Sequence, residues 1–221
     1  MKNVEQSLLI RLKELGLAEQ LQLNDGAWEL LSDNPTERPI RLDFLRLETQ
    51  LQGTLNSLRD QPLFRALGSK GGVRPKVWDV TCGLGGDTML LLLFGCSVIS
   101  SERHPIPSLM LLRAYEAYSG LLKQRWQLSL NGDAHGQSVD VIYFDPMYNG
   151  PESSALPRKE MRIFREMVGE DEDAEKVAHE LMQYGKRLII KRPPKSPVLL
   201  ANPSFQQEGK AVRFDVYLPR N

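Results

Sequence analysis

The chain has 221 residues, and its 28 lysines and arginines balance 28 aspartates and glutamates, so the formal net charge is zero. This length suits one sizeable domain, or one domain with a small appendage, and the balanced charge excludes a uniformly basic nucleic-acid-binding protein. The two cysteines, Cys82 and Cys96, lack CxxC spacing, which excludes a zinc site and a disulfide framework and indicates reduced thiols in a cytoplasmic protein.

The first 67 residues are predicted to form an N-terminal extension with a helix and short strands. Apolar residues at near-helical spacing indicate a helix over residues 3–16 that ends at Gly16. This segment lacks the apolar centre of a signal peptide. Two strands are predicted within AWELLSD and RPIRLDFLRLE, on either side of the turn-rich NPTERP. Residues 51–67 are predicted to be partly helical, and GSKGGVRP, residues 68–75, is the predicted linker.

Strands and helices alternate in the second predicted domain, residues 68–221. Strands are predicted in VWDVT, SVISSE, WQLSLNGDA, VDVIYFDP, KRLIIKRPP and VRFDVYLP, with helices in DTMLLLLFG, PSLMLLRAYEAYSGLLKQR, RKEMRIFREMV and EDAEKVAHELMQYG. The alternation predicts an α/β fold with a mostly parallel sheet and helices on both faces. Such sheets bind ligands at the carboxyl ends of their strands. The polar residues at predicted strand ends are Asp79, Glu102, Asp133, Asp145 and Lys191.

The segment DVTCGLGGDT, which begins at Asp79, is predicted to turn sharply between a strand and a helix. Gly83 and Gly85 would let the backbone approach a ligand. The segment lacks the lysine of a phosphate loop, and Thr88 stands where a dinucleotide fingerprint needs its third glycine. An acid before the turn, Asp79, and another at the end of the next strand, Glu102, are instead typical of S-adenosylmethionine enzymes. In these enzymes the second acid accepts hydrogen bonds from the ribose hydroxyls, as the corresponding acid does in dinucleotide-binding enzymes. The alternative is a plain glycine-rich turn.

The segment DPMY ends another predicted strand and resembles the Asn/Asp-Pro-Pro-Tyr/Phe motif of methyltransferases that modify exocyclic amino nitrogens. The lone pair of such an amine is delocalised into the ring, so two acceptors for its N–H groups can orient it towards a methyl donor. Asp145 and the carbonyl of Pro146 would be these acceptors, and Tyr148 would stack on the base. The alternative is an Asp-Pro turn that only caps the strand.

Several stretches together resemble one family closely, the ribosomal RNA small subunit methyltransferase J family. They are VWDVTCGLGGDTMLLLLFGCSVISSERHP, VIYFDPMY, SALPRKEMRIFREMVG, RLIIKRP and RFDVYLP, in family order from Val77 to the C-terminus. The resemblance implies a Rossmann-like S-adenosylmethionine-dependent methyltransferase fold and methylation of guanine N2 in the hairpin region near the 3′ end of 16S rRNA. The partner would be 16S rRNA or the small ribosomal subunit, and neither a metal nor a membrane is implied.

The resemblance also implies residues that bind S-adenosylmethionine. Glu102 and Arg103 would hold its ribose and adenine, Gly132 and Asp133 would lie beside the adenine, and Asp145 would lie between cofactor and target. With the glycine turn, the predicted cofactor-binding residues are Asp79, Gly83, Gly85, Gly86, Asp87, Glu102, Arg103, Gly132, Asp133 and Asp145. The chain departs from the family twice: the family usually has arginine at the position of Gly86, and QLQGTLNSLRDQ replaces a glycine-rich, arginine-containing loop.

Two basic segments follow the fourth and fifth predicted strands of the sheet, where RNA phosphates could bind. An ordinary charged surface is the alternative. Three other functions remain open: methylation of another exocyclic amine such as adenine N6, dinucleotide-dependent oxidation and reduction, and RNA binding without catalysis. The missing third glycine argues against the second of these, and the intact DPMY argues against the third. The predicted RNA-binding residues are Arg158, Lys159, Arg162, Lys191 and Arg192.

Overall fold

The computed structural model describes residues 2–34, 36–53, 61–68, 72–130, 137–147, 169 and 171–219. These residues form one sheet of three strands and one of seven strands, together with α-helices. No helix within these ranges is both long enough and apolar enough to cross a membrane.

The N-terminal part begins with helix α1 (Lys2–Glu14), which confirms the predicted helix. A hairpin follows, in which β1 (Leu21–Asn24) pairs antiparallel with β2 (Ala27–Leu30). Asp25 and Gly26 form its two-residue turn with φ angles of 46° and 75°, as tight hairpin turns require. Strand β1 was not predicted, although Asp-Gly between apolar segments is a strong hairpin signal.

The strand predicted in RPIRLDFLRLE is wrong for most of its length. Only β3 (Ile40–Arg41) is extended, and it pairs antiparallel with β2. Helix α2 (Phe44–Gln52) starts directly after Asp43, whose Oδ1 accepts a hydrogen bond from the Arg46 N–H at 3.0 Å. This capping bond satisfies one of the free N–H groups of the first turn. Phe44, Leu47 and Leu51 of α2 recur at helical spacing and pack in or against the main core.

The larger sheet follows the predicted alternation of strands and helices. Its strand β9 was not predicted, and the predicted helix in RKEMRIFREMV lies outside the described residues. The strands are β4 (Lys76–Asp79), β5 (Ser97–Ser101), β6 (Trp126–Ser129), β7 (Val141–Phe144), β8 (Leu188–Arg192), β9 (Phe205–Glu208) and β10 (Arg213–Tyr217). The helices are α3 (Pro62–Leu67), α4 (Gly86–Leu93), α5 (Pro105–Ala117) and α6 (Ala174–Leu181), and short 3-10 helices cover Ala18–Gln20 and Leu121–Arg125.

The strand order of the larger sheet is β6-β5-β4-β7-β8-β10-β9. The pairs from β6 to β8 are parallel, whereas β10 runs antiparallel to β8 and to β9. The predicted mostly parallel sheet is therefore confirmed. The antiparallel strand inserted beside β8 distinguishes this sheet from the 3-2-1-4-5-6 order of dinucleotide-binding folds. Because the strand order reverses between β4 and β7, a ligand crevice is expected at their carboxyl ends.

The N-terminal part shares hydrophobic cores with the larger sheet and its helices. Leu12 and Leu30 pack in one core cluster with Ile106 and Leu109 of α5. Phe44 of α2 belongs to the main core, with its ring centroid 4.8 Å from that of Trp126. The boundary between residues 1–67 and 68–221 stays a prediction, because common cores join the two parts.

Candidate active site

A pocket of about 790 Å³ lies at the carboxyl ends of β4, β5, β7 and β8. Small-molecule sites typically have about 300–1,000 Å³. The N-terminal part lines the pocket as well, through Arg11 of α1, strand β3, the two residues that follow it, and α2. The pocket brings together many of the predicted site residues, namely Gly83, Gly86, Asp87, Glu102, Arg103, Asp145 and Lys191.

The glycine turn after β4 depends on backbone conformations that favour glycine. Gly83 and Gly85 have φ angles of 56° and 82°. A Cβ atom at Gly85 would lie 2.6 Å from Cε1 of Phe44, so α2 packs directly on the turn. Gly85 does not line the pocket, whereas Gly86 does and has no atom within 4 Å of the position of a Cβ. The turn therefore has a rigid, packed side and an open side.

Asp79 was predicted to bind the cofactor, but its side chain lies beneath the turn. It is completely buried, is not among the residues that line the pocket, and accepts a hydrogen bond from the Thr88 hydroxyl. Burial raises the pKa of Asp79 to about 8, although the bond from Thr88 opposes the rise. The geometry supports a structural role for Asp79 in joining the turn to α4.

Glu102 follows β5 and lines the pocket beside the glycine turn. Its Oε2 accepts a hydrogen bond from the Gly83 N–H at 2.9 Å, and its Oε1 accepts one from the His104 N–H at 2.8 Å. Burial raises the pKa of Glu102, while these backbone donors oppose the rise. The two bonds fix the orientation of the carboxylate in the pocket.

Arg103 also lines the pocket, and it forms ion pairs with two acids that sequence reasoning did not assign to the site. Its guanidinium contacts Asp171 and lies 2.8 Å from oxygen atoms of Asp173. Hydrogen bonds to Asp173 and Asp171 raise the pKa of Arg103 and outweigh the effect of burial. Arg11 donates a hydrogen bond to the Arg103 carbonyl at 3.1 Å. The predicted contact of Arg103 with the cofactor stays a prediction.

Lys191 joins Asp87 and Asp145. Its Nζ lies 2.8 Å from Oδ2 of each acid, and the Tyr143 hydroxyl donates to the same Asp87 oxygen at 2.6 Å. Burial opposes the charges of Lys191 and Asp87, but attraction between opposite charges outweighs it, so the pKa of Lys191 is raised and that of Asp87 is lowered. The backbone N–H of Asp145 donates to Thr81 Oγ1 at 2.7 Å. Asp145 is thus tied both to Lys191 and to the glycine turn.

Strand register explains why Lys191 reaches Asp145. Phe144 of β7 pairs with Ile190 of β8, so the next residues along the two parallel strands, Asp145 and Lys191, lie side by side. Side chains alternate along a strand, so Tyr143 shares a face with Asp145. The shared face of Tyr143 and Asp145 could be predicted from the sequence. The proximity of Asp145 and Lys191 could not, because it depends on the pairing of two strands that are separated by more than forty residues.

The remaining predicted residues lie away from the pocket or outside the described residues. Arg192 is buried, and its Nε and Nη2 donate to the Pro197 carbonyl at 3.3 Å and 3.1 Å, an arrangement that does not support the predicted phosphate contact. Pro146 is also buried. The predicted residues outside the described ranges are Gly132, Asp133, Tyr148, Arg158, Lys159 and Arg162.

The pocket fits S-adenosylmethionine, the cofactor that the resemblance implies. The carboxylates of Asp87, Glu102, Asp145 and Asp171 line it, and negative charges attract the sulfonium and ammonium cations of this molecule. Each oxygen of Glu102 has a second lone pair, which can accept a hydrogen bond from a ribose hydroxyl. Leu84 adds apolar surface.

Comparison with known proteins supports the same assignment. A family model described as "Putative SAM-dependent methyltransferase" matches residues 9–219. The ribosomal RNA small subunit methyltransferase J of Haemophilus ducreyi is 36% identical over 224 residues, covering 86% of this chain and 89% of the relative. The protein of the same name from Thioalkalivibrio sulfidiphilus is 39% identical over 195 residues, covering 81% of this chain and 76% of the relative.

A solved structure shows the same fold. The crystal structure of a SAM-dependent methyltransferase from Neisseria gonorrhoeae superposes with a TM-score of 0.64 at 26% identity, covering 90% of this chain and 82% of that one. The strand order, the acid-lined pocket and the similarity over most of the sequence all indicate an S-adenosylmethionine-dependent methyltransferase. The chain belongs to the ribosomal RNA small subunit methyltransferase J family of S-adenosylmethionine-dependent methyltransferases.

Proposed function

We propose that this enzyme methylates the exocyclic N2 of a guanine in 16S rRNA, in the hairpin region near its 3′ end. One observation carries the proposal: Asp145 lines the same pocket as the glycine turn and Glu102. An acceptor for an amine and a place for a methyl donor are therefore adjacent. The names of the relatives support small-subunit rRNA as the substrate, and such a substrate supports a cytoplasmic location.

S-adenosylmethionine, when bound, supplies an electrophilic methyl group. Glu102 would accept hydrogen bonds from its ribose hydroxyls, because the Gly83 and His104 N–H groups hold this carboxylate in the pocket. Asp87 and Asp145 would add negative charge near the cationic part of the cofactor. These residues bind and orient, which suits a displacement reaction whose rate depends mainly on the alignment of the reacting atoms.

Asp145 would accept an N–H of the target amine and direct its lone pair towards the methyl group. Lys191 and Thr81 position Asp145 through hydrogen bonds of 2.8 Å to its carboxylate and 2.7 Å from its backbone N–H. The carbonyl of Pro146 as second acceptor, and the stacking of Tyr148 on the base, complete the proposed arrangement. Stacking of this kind requires the guanine to leave its own stack in the RNA.

The test is transfer of a radiolabelled methyl group from S-adenosylmethionine to 16S rRNA and to small subunits from a strain that lacks the gene. Wild-type protein should label at least one of them. Asp145→Ala removes the acceptor and should slow transfer by about 10²–10³-fold, as expected for losing one group that stabilises the transition state. Cofactor affinity, measured by calorimetry, should fall far less than the transfer rate, because Asp87 and Glu102 remain in the pocket. Nucleoside mass spectrometry should identify the product as N2-methylguanosine.

Asp140→Ala is the matched control, because Asp140 directly precedes β7 whereas Asp145 directly follows it. Asp140 accepts hydrogen bonds from Lys76 and Lys186 at the opposite end of the strand from the pocket. This variant should transfer methyl at the wild-type rate. Wild-type activity in Asp145→Ala would contradict the proposed role of the carboxylate. N6-methyladenosine as the product would favour the alternative exocyclic amine.

A further inference from the structure

The two sides of the pocket carry opposite charge. On the side of the larger sheet, four carboxylates accompany two cations. Both cations are paired with acids: Arg103 with Asp171 and Asp173, and Lys191 with Asp87 and Asp145. On the side of the N-terminal part, three arginines accompany the single acid Asp43. The arginines are Arg11, Arg41 and Arg46, which come from α1, β3 and α2.

Arg46 and Arg41 are the arginines of this side that an anionic ligand could engage. Arg46 is exposed, and within the described ranges its guanidinium forms no ion pair. Arg41 is 43% exposed and lies 3.5 Å from Glu29, a carboxylate that also accepts hydrogen bonds from Gln22 and Asn24. Glu29 is buried and has these two other donors, and Arg41 makes only this long contact with it, so the Arg41 guanidinium keeps N–H groups for a further anion. Arg11 instead donates to the Arg103 carbonyl.

Arg41 and Arg46 lie on elements that the core holds in place. Asp43 caps α2 through the Arg46 N–H, and Phe44 next to it is buried against Trp126. Ile40, which precedes Arg41, is buried in the cluster that joins the N-terminal part to α5. The backbone positions from which the two arginine side chains extend are therefore fixed beside the pocket.

We propose that Arg41 and Arg46 form a phosphate-binding face that holds the RNA backbone next to the target base. This inference rests on the proposed function, because that function makes RNA the ligand. The net charge of the chain is zero, so attraction of a polyanion needs a local basic surface. Repulsion from the carboxylates excludes phosphates from the sheet side of the pocket, and the backbone therefore approaches along the arginine side.

The experiment measures binding of unmethylated 16S rRNA at several salt concentrations. Each lost phosphate contact lowers the magnitude of the slope of log affinity against log salt by about 0.7–0.9. The double variant Arg41→Gln with Arg46→Gln should lower it by about 1.4–1.8, while Arg41→Lys with Arg46→Lys should keep most of the wild-type slope. Cofactor affinity in calorimetry should stay at the wild-type value in both.

The control variant is Lys13→Gln with Lys210→Gln, which removes the same number of charges from exposed residues that do not line the pocket. Its salt slope should equal that of the wild type. An unchanged slope in the double glutamine variant would overturn the inference. Loss of cofactor affinity with an unchanged slope would overturn it too, and would assign the arginines to the carboxylate of the cofactor.

Failure of this inference can be separated from failure of the proposed function. If the wild type methylates 16S rRNA and the glutamine variant keeps its slope, only the phosphate-binding face is wrong. If the wild type neither binds nor methylates 16S rRNA, the proposed function itself is wrong.

Discussion

Three aspartates that the sequence predicted in the site have different environments in the structure. Asp79 and Asp145 lie at or just after the carboxyl end of a strand, and Asp87 lies in the first turn of α4. Burial raises the pKa of Asp79, whereas Lys191 lowers that of Asp87 and also contacts Asp145. The sequence showed where these acids lie along the chain, but their partners depend on strand pairing across many residues.

Asp79 should make the stability of the protein depend on pH. Its pKa is about 8 in the folded protein against 3.8 for an ordinary aspartate, so the folded state holds one more proton than the unfolded state between these values. The contribution of the protonated Asp79 carboxyl to stability is therefore complete below pH 4 and is lost as pH rises through 8. Over this window, the free energy of unfolding should fall by about 1.4 kcal/mol per pH unit from this group alone.

Asp79→Asn isolates this effect, because asparagine keeps an acceptor for Thr88 and does not titrate. Urea unfolding at several pH values measures the free energy of unfolding of both proteins. Relative to the wild type, the variant should become more stable as the pH rises from 4 to 8. A constant difference between pH 4 and pH 8 would show that Asp79 ionises in the folded protein like an ordinary aspartate.

Among the secondary-structure elements, α2 was the main error of the sequence analysis. Ile40, Leu42 and Phe44 alternate with polar residues, which favours a strand, but Asp43 is a capping residue and the apolar residues after it have helical spacing. The contact between α2 and the glycine turn could not be read from the sequence. It depends on Phe44 approaching Gly85 from a distant part of the chain.

Gly85→Ala should damage both the fold and the pocket. A Cβ atom there would lie 2.6 Å from the ring of Phe44, and the φ angle of 82° is unfavourable for alanine. The left-handed conformation alone costs about 1–2 kcal/mol, and displacement of α2 should also weaken cofactor binding. Urea midpoints and calorimetry with S-adenosylmethionine measure the two effects.

Gly86→Ala provides the neighbouring control, because no atom lies within 4 Å of its Cβ position and Gly86 is the first residue of α4. A Cβ there meets no atom and Gly86 has no positive φ angle, so this variant should be about as stable as the wild type. Equal destabilisation of the two variants would contradict the contact between α2 and the turn.

At the scale of the whole molecule, the sequence predicted the alternation of strands and helices and the side of the pocket formed by the glycine turn and Glu102. It did not predict that the N-terminal part lines the same pocket. Local periodicity identifies helices and strands, but shared cores arise from contacts between residues far apart in the chain. The packing of Leu12 and Leu30 on α5 is one such contact.

Removal of residues 1–67 should therefore prevent cooperative folding of the remainder. The truncated chain would expose Ile106 and Leu109 on α5, and it would lose Phe44 and the residues of α3 from the main core. Circular dichroism during heating should show a broad transition or none. A sharp transition with full-length affinity for S-adenosylmethionine would instead establish residues 68–221 as an independent domain.

The central claim is that this enzyme methylates guanine N2 in 16S rRNA and that Asp145 orients the amine. Mass-spectrometric mapping of 16S rRNA from a deletion strain, complemented with nothing, wild type or Asp145→Ala, tests it most directly. The predicted result is loss of one N2-methylguanosine near the 3′ end on deletion, return with the wild type, and no return with the variant. An rRNA methylation pattern unchanged by deletion, or full restoration by Asp145→Ala, would contradict the claim.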